Sequence, residues 1–317
     1  MPQRLAIPLP SHLFSRPLNV LVLTATLFTA TLATSQIAQA GPKTQSKSYT
    51  VKAPGGVKLS VQESGNPQGA PLIFIHGLLG SHLTWDAQLK SPLLRKYRLI
   101  TYDLRGHGLS SKPTDKAAYS NGKRWADDLA TVIESSHARK PVLIGWSLGG
   151  TVISNYLAIY GDQKIAGAVY VDGVIELKPE LLVAHPQVYR DLNSPDLVTH
   201  LDAVRTFLRL CFHKKPNSAT FERLLANAAI ASWDMQRAVQ SMTIDTKELS
   251  RTRVPILLIY GERDALVQAR PSVARAKKLN PRIKNKLYAE SGHAPFLEYP
   301  ERFNRDLAAF AVSVLPR

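Results

Sequence analysis

Short apolar runs alternate with longer segments of helical periodicity along most of this chain. "PLIFIHG" (71–77), "YRLITYD" (97–103), "KPVLIGW" (140–146), "IAGAVYVDG" (165–173), "VPILLIYG" (254–261) and "KNKLYAES" (284–291) read as strands. The near-continuous apolarity of several predicts a sheet covered on both faces. Ahead of them, "KSYTVKAPGGVKLSVQES" (47–64) holds two alternating segments split by Gly55-Gly56, a hairpin signal. Between the strands, Trp125, Leu129, Val132 and Ile133 keep helical spacing, as do Val152, Tyr156 and Tyr160. Phe303, Leu307, Phe310 and Val314 follow Pro300-Glu301, a sound helix start. Strand alternating with helix predicts an α/β domain with a mostly parallel central sheet and helices on both faces.

The rhythm breaks between Gly173 and Val254, where amphipathic segments follow one another without a strand. Leu201, Val204, Leu208 and Cys211 form one stripe, Phe221, Leu224, Leu225 and Ala228 a second, and Trp233, Ala238, Val239 and Met242 a third. Residues 176–250 are therefore expected to be a helical cap or lid inserted into a core built from 41–175 and 251–317, placed over the face where strand C-termini end.

Composition narrows the class. The 317 residues are 44% apolar, enough for a real core, so disorder is excluded as the default. Forty Lys plus Arg against twenty-four Asp plus Glu give +16, spread along the body. No run of five like charges, RNP-like aromatic pattern or zinc-spaced Cys/His set turns that charge into nucleic-acid recognition. A basic solvated surface is the expectation, with weak association with anionic envelope surfaces as the alternative. The first forty residues differ. Arg4 and Arg16 lie in a basic lead, 18–34 carry no charge, and "AQA" (38–40) precedes Gly41. This is the layout of a secretory signal peptide cut after Ala40, which implies export to the periplasm or beyond. An uncleaved anchor is the alternative reading, since the uncharged stretch lies near the lower limit for a span. The one cysteine, Cys211, permits no intramolecular disulfide and is expected to be buried as a small hydrophobe.

The candidate chemistry centres on "GWSLGG" (145–150). G-x-S-x-G alone is common by chance, but here an apolar strand runs into Gly145 and a helical pattern starts right after Ser147. Small residues at 145 and 149 suit a close strand–helix crossing with the serine held in a strained turn. A serine hydroxyl needs a base within hydrogen-bond reach and a group that orients the base. His293, in the loop "SGHAPF" after the last strand, follows the serine as hydrolase chain order requires. His76 and His107 follow strands but precede the serine, and the other histidines sit in loops, in the insertion or in the expected signal. For the acid, Asp264 lies in a turn after "LLIYG", between serine and histidine; Asp172 at the end of "VYVDG" is the runner-up, since either strand end can aim a carboxylate at the same imidazole. Two backbone N–H donors for an oxyanion are expected at Leu148, after the serine, and at Leu78 in "HGLLG". Trp146 is expected to line the substrate pocket.

At these residues the chain resembles the α/β-hydrolase superfamily, over roughly 50–315. "HGLLG", "DLRGHGLSSKP", "GWSLGG", "GERD" and "SGHAPFLEYPERF" fall in that family's order, and the second and third look most like the serine-nucleophile branch that holds cofactor-free esterases, non-haem haloperoxidase-like perhydrolases and carbon–carbon bond hydrolases. The resemblance implies a triad of Ser147, Asp264 and His293, an oxyanion hole at Leu78 and Leu148, structural roles for Arg105 and Ser110, and no metal or other cofactor. Serine, not aspartate, at 147 argues against dehalogenase and epoxide-hydrolase members. The expected reaction is hydrolysis of a carboxylic ester of a small molecule with an apolar acyl group; perhydrolysis or carbon–carbon cleavage on the same triad, and a non-catalytic binding protein, are the rivals.

Overall fold

Eight strands build one sheet: β1 (Lys47–Lys52), β2 (Lys58–Gly65), β3 (Pro71–Ile75), β4 (Arg98–Tyr102), β5 (Val142–Trp146), β6 (Gly167–Val171), β7 (Ile256–Gly261) and β8 (Lys284–Tyr288). The computed structural model describes residues 46–315, so the expected signal peptide, residues 1–40, lies outside the described residues. Among the described residues no helix is long and apolar enough to cross a membrane. The strand order is β1-β2-β4-β3-β5-β6-β7-β8. Strand β2 pairs antiparallel with both of its neighbours, and every pairing from β4 to β8 is parallel. The expected hairpin closes through Gly55 and Gly56, both at positive φ.

Burial follows position in the sheet. Every residue of β3, β5, β6 and β7 is buried, as their unbroken apolar runs require of strands covered on both faces. Edge strand β8 instead alternates exposed and half-buried positions until Tyr288. The covering helices, in chain order, are α1 (Asp86–Leu89), α2 (Ala117–Ser120), α3 (Gly122–Ser135), α4 (Leu148–Tyr160), α5 (Pro186–Asp191), α6 (Leu197–Leu210), α7 (Ser218–Ala229), α8 (Trp233–Val239), α9 (Lys247–Arg251), α10 (Ala269–Leu279), α11 (Pro295–Glu298) and α12 (Pro300–Val314). Helix α4 buries each residue from Leu148 to Leu157, consistent with its place behind the central strands.

Between β6 and β7 the described chain adds no strand to the sheet and holds α5 to α9. Side chains of Asp196, Asn217 and Ser232 accept the N–H of Thr199, Thr220 and Met235, which starts α6, α7 and α8. The α6 stripe differs from expectation at one place: Leu201 is 39% exposed, and His200 takes the inward position. The His200 ring stacks on Trp233 at 4.0 Å and donates from Nδ1 to the Leu192 carbonyl at 2.9 Å, so a polar residue satisfies itself where a leucine was expected. Cys211 is buried, as expected. The segment is fastened to the core at several points. The Ser232 amide donates to the Gly106 carbonyl (2.8 Å), the Thr243 amide to the Ser120 carbonyl (3.0 Å), and the Val183 amide to the Leu266 carbonyl (3.0 Å).

The loop after β4 is held by a buried ion pair. Arg105 donates to both oxygens of Asp128 at 2.7 Å and spends its remaining N–H groups on the carbonyls of Ala118 and Arg124. Removing one partner leaves an uncompensated buried charge, at a cost of about 3–5 kcal/mol. Arg105→Met is therefore expected to lower stability by about that amount, whereas Lys90→Met, which breaks the exposed Lys90–Asp86 pair, should cost under about 1 kcal/mol; urea denaturation midpoints measure both.

Candidate active site

Strand β5 ends at Trp146 and α4 begins at Leu148, so the chain reverses at Ser147 alone. The serine sits at φ 52°, ψ −112°, a conformation a non-glycine residue adopts only when its surroundings enforce it. The enforcement is visible. The Ser147 amide donates to the Val171 carbonyl (3.0 Å), and its carbonyl accepts the amides of Gly150 (3.0 Å) and Val174 (3.2 Å). A side chain on Gly149 would collide with the Ile75 carbonyl, and one on Gly145 with the Gly149 backbone. The two glycines are thus required by the closeness of strand and helix.

The turn after β3 stands opposite. Gly80 donates to the Gly77 carbonyl, Leu79 lies at φ 61°, and the Leu79 carbonyl accepts from Asn227 Nδ2 of α7 at 3.1 Å. Leu78 in this turn, Leu148 at the start of α4, Ser147 and His293 all line one cavity of about 410 Å³. The Leu148 amide, at the first position of a helix, has no partner within that helix and adds to its positive end.

The loops after β7 and β8 bring Asp264 and His293 together. Asp264 Oδ1 accepts the amides of Leu266 (2.7 Å) and Val267 (3.1 Å), and Oδ2 accepts from His293 Nδ1 at 2.7 Å. A carboxylate only accepts, so Nδ1 carries the proton and Nε2 of the neutral ring is left with its lone pair. His293 is 1% exposed, and Nε2 has no hydrogen-bond partner among the described residues. The histidine loop is braced by Glu298 of α11. One carboxylate oxygen accepts the Gly292 amide (2.8 Å) and the other the Lys214 amide (2.6 Å).

Trp146 is where the structure departs from expectation. It does not line the cavity. As the last residue of β5 it points beneath the histidine loop, where its indole Nε1 donates to the His293 carbonyl at 2.7 Å and its ring packs on Phe296. It supports the histidine and does not form the pocket wall. Asp172, the runner-up acid, is not remote either. An oxygen of Asp172, an oxygen of Asp264 and a ring nitrogen of His293 lie within 4.8 Å of one another. This is the one such trio among the described residues that could meet around a metal ion, but His293 Nδ1 is already engaged by Asp264, and an ion would have to replace that bond.

The other strand-end histidines are struts. His76 Nδ1 donates to the Gly77 carbonyl (2.7 Å) and Nε2 accepts the Leu104 amide (3.0 Å); His107 donates to the Arg105 carbonyl (3.0 Å). Burial pushes the first down to about 4 and the second to about 3, so both are neutral. Neither lines the cavity. Arg105 and Ser110 also act within the fold: the Ser110 hydroxyl donates to the Asp103 carbonyl at 2.5 Å.

The cavity walls come from both parts of the chain. Val174, Leu182, Tyr189, Phe207, Val239 and Met242 supply apolar surface, and no Asp, Glu, Lys or Arg side chain joins the lining. His185 at the head of α5 donates from Nε2 to the Ala265 carbonyl at 2.6 Å, next to the Asp264 turn. Glu298, Asn227 and His185 escaped the sequence reading. Glu298 had a signal, a lone acid inside the apolar run "APFLEYP"; the reach of Asn227 and His185 across more than seventy residues had none.

Comparison with known proteins identifies the family of the chain. The profile described as "Alpha/beta hydrolase family" matches residues 72–306. A solved structure of a candidate aryl esterase from Burkholderia cenocepacia is 68% identical, with a TM-score of 0.85 over 86% of this chain and 100% of its own. The bifunctional esterase/perhydrolase of Acinetobacter calcoaceticus is 30% identical over 277 residues, 80% of this chain and 96% of that protein. The non-heme chloroperoxidase of Streptomyces lividans is 29% identical over 286 residues, 83% and 99% of the two chains. With the profile spanning the parallel strands from Leu72 onward, the serine turn and the histidine loop, the chain belongs to the alpha/beta hydrolase family.

Proposed function

We propose that this protein hydrolyses carboxylic esters through an acyl-enzyme formed on Ser147. The observation that carries the reading is the state of His293: its Nδ1 proton is committed to Asp264, while Nε2 keeps a free lone pair in the same cavity wall as a strained serine. Ser147 Oγ attacks the ester carbonyl as His293 Nε2 takes its proton. The tetrahedral oxyanion is met by the Leu78 and Leu148 amides, each donor worth a few kcal/mol. His293 then protonates the leaving alcohol, water repeats the sequence on the acyl-enzyme, and Asp264 stays ionised throughout, holding the ring and stabilising the imidazolium. The uncharged, largely apolar lining supports a small neutral ester with an apolar acyl group as substrate.

The similarity to the Acinetobacter esterase/perhydrolase supports a second reading on the same acyl-enzyme, in which hydrogen peroxide replaces water as the second nucleophile. No new residue is needed for it, because His293 would deprotonate either one.

Ser147→Ala is expected to lower kcat/KM on p-nitrophenyl acetate or butyrate by at least about 10⁴-fold, in the presence of chelator as in its absence; turnover near the wild-type rate would refute the mechanism. Trp146→Phe keeps the ring and deletes the donor to the His293 carbonyl, so kcat is expected to fall about fivefold, the worth of about 1 kcal/mol, with KM little changed; a rise in KM alone would return Trp146 to the pocket. Peracid formation from acetate and hydrogen peroxide, abolished in Ser147→Ala, is the outcome expected of the second reading, and its absence in wild type would remove it.

A further inference from the structure

Asp172, the residue after the last of β6, stands in a position the mechanism above does not use. It is fully buried, and its own backbone is held at φ 43°. Oδ1 accepts the Gly261 amide at 2.8 Å, whereas Oδ2, equally buried, has no hydrogen-bond partner among the described residues. An oxygen of another carboxyl, that of Asp264, lies within 4.8 Å of an Asp172 oxygen. Two ionised carboxylates cannot sit side by side in a dry site, so the pair holds one proton. The donors decide where. Asp264 receives two backbone N–H groups and the His293 Nδ1–H, all of which favour its charged form, while Asp172 receives one N–H. The proton therefore belongs to Asp172.

We propose that Asp172 is a positioning residue that works as a neutral acid: its Oδ2–H donates to the Asp264 carboxylate, fixes that carboxylate against His293, and keeps the total charge of the pair at one. The proposal rests on the reading of His293 as the base and Asp264 as its partner. No proton leaves Asp172 in the cycle; the bond only holds Asp264 in place. The surroundings agree. Burial first, then the nearby Asp264 charge and the Glu298 charge from α11, push Asp172 well above the usual carboxylate range. The Tyr260 phenol of β7 and the Cys211 thiol after α6, which also bear on it, are held neutral by burial, and His293, in the same trio, is a neighbour able to carry positive charge. The arrangement has a purpose in this chemistry. A second negative charge beside His293 would favour imidazolium, and an imidazolium cannot take the serine proton.

The full-length protein labelled with ¹³C-aspartate gives a readout that needs no turnover. At neutral pH the infrared spectrum should show the carbonyl stretch of a protonated aspartate, moved by the label and lost in Asp172→Asn; a spectrum in which Asp172→Asn removes no such band overturns the proposal, whatever becomes of the ester-hydrolase reading. That reading fails separately, by survival of turnover in Ser147→Ala. The pH profile supplies the second measurement. Activity rises with pH as His293 loses its proton, and Asp172→Asn exchanges one neutral donor for another, so the midpoint of this acid limb should not move. A fall of about one unit or more means that a negative charge was removed, and overturns the proposal. Asp172→Ala removes the donor and should lower kcat about fivefold with KM retained. If Asp172→Asn does not fold, Asp172→Ser carries both the infrared and the pH comparisons.

Discussion

Everything at the cavity is referred to one close crossing, that of β5 under the start of α4. Ser147 sits where a side chain on Gly149 would meet the Ile75 carbonyl and one on Gly145 the Gly149 backbone, so the turn needs both glycines. The same crossing brings Leu148 to the wall of the cavity that the β3 turn also lines through Leu78. Strain at one residue thus accompanies the meeting of a strand end and a helix start at one cavity. The cost, on the order of 1–3 kcal/mol, is borne by a helix buried along ten consecutive residues.

Around that crossing the parallel sheet acts as a registration device. Three neighbouring strands, β5, β6 and β7, end on the same edge, and each hands over a chemically distinct residue: a serine, a buried acid and an acid in a turn. Strand β8 adds the histidine loop alongside. The polar groups that meet there are spaced by the strand separation and not by the local flexibility of loops. The helical segment between β6 and β7 contributes the apolar walls and two props, Asn227 on the β3 turn and the Lys214 amide on Glu298. It thus shapes the cavity.

The parts of this architecture that the amino-acid order reveals are those governed by local rules. β3, β5, β6 and β7 are legible because burial on both faces demands unbroken apolar runs, and α6, α7 and α8 because each carries an apolar stripe at helical spacing. Helix α10 is not, since the buried positions of "ARPSVARAKKL", Ala269, Ser272, Val273 and Ala276, keep helical spacing but include a serine and two alanines, so no large apolar stripe marks them. Direction and long-range pairing are also illegible. Nothing in "GWSLGG" says that Trp146 turns away from the cavity toward a carbonyl 147 positions downstream. Asp172 and Asp264 read as rivals for one imidazole because a sequence presents them singly; only adjacent strands show that both arrive at the same place. Leu201 and His200 exchange expected roles for a similar reason, as Trp233 provides a stacking partner that periodicity cannot foresee.

The tie between Trp146 and the His293 carbonyl joins the residue before Ser147 to the loop after β8. The serine turn and the histidine loop are consequently braced against each other. A relative that exchanges the tryptophan for a residue without a donor leaves a buried carbonyl unpaired, and must restore a donor from elsewhere or rebuild the loop around Phe296. Residue 146 and the stretch 291–296 should therefore change together across lineages, although of the two bonded residues only His293 lines the cavity.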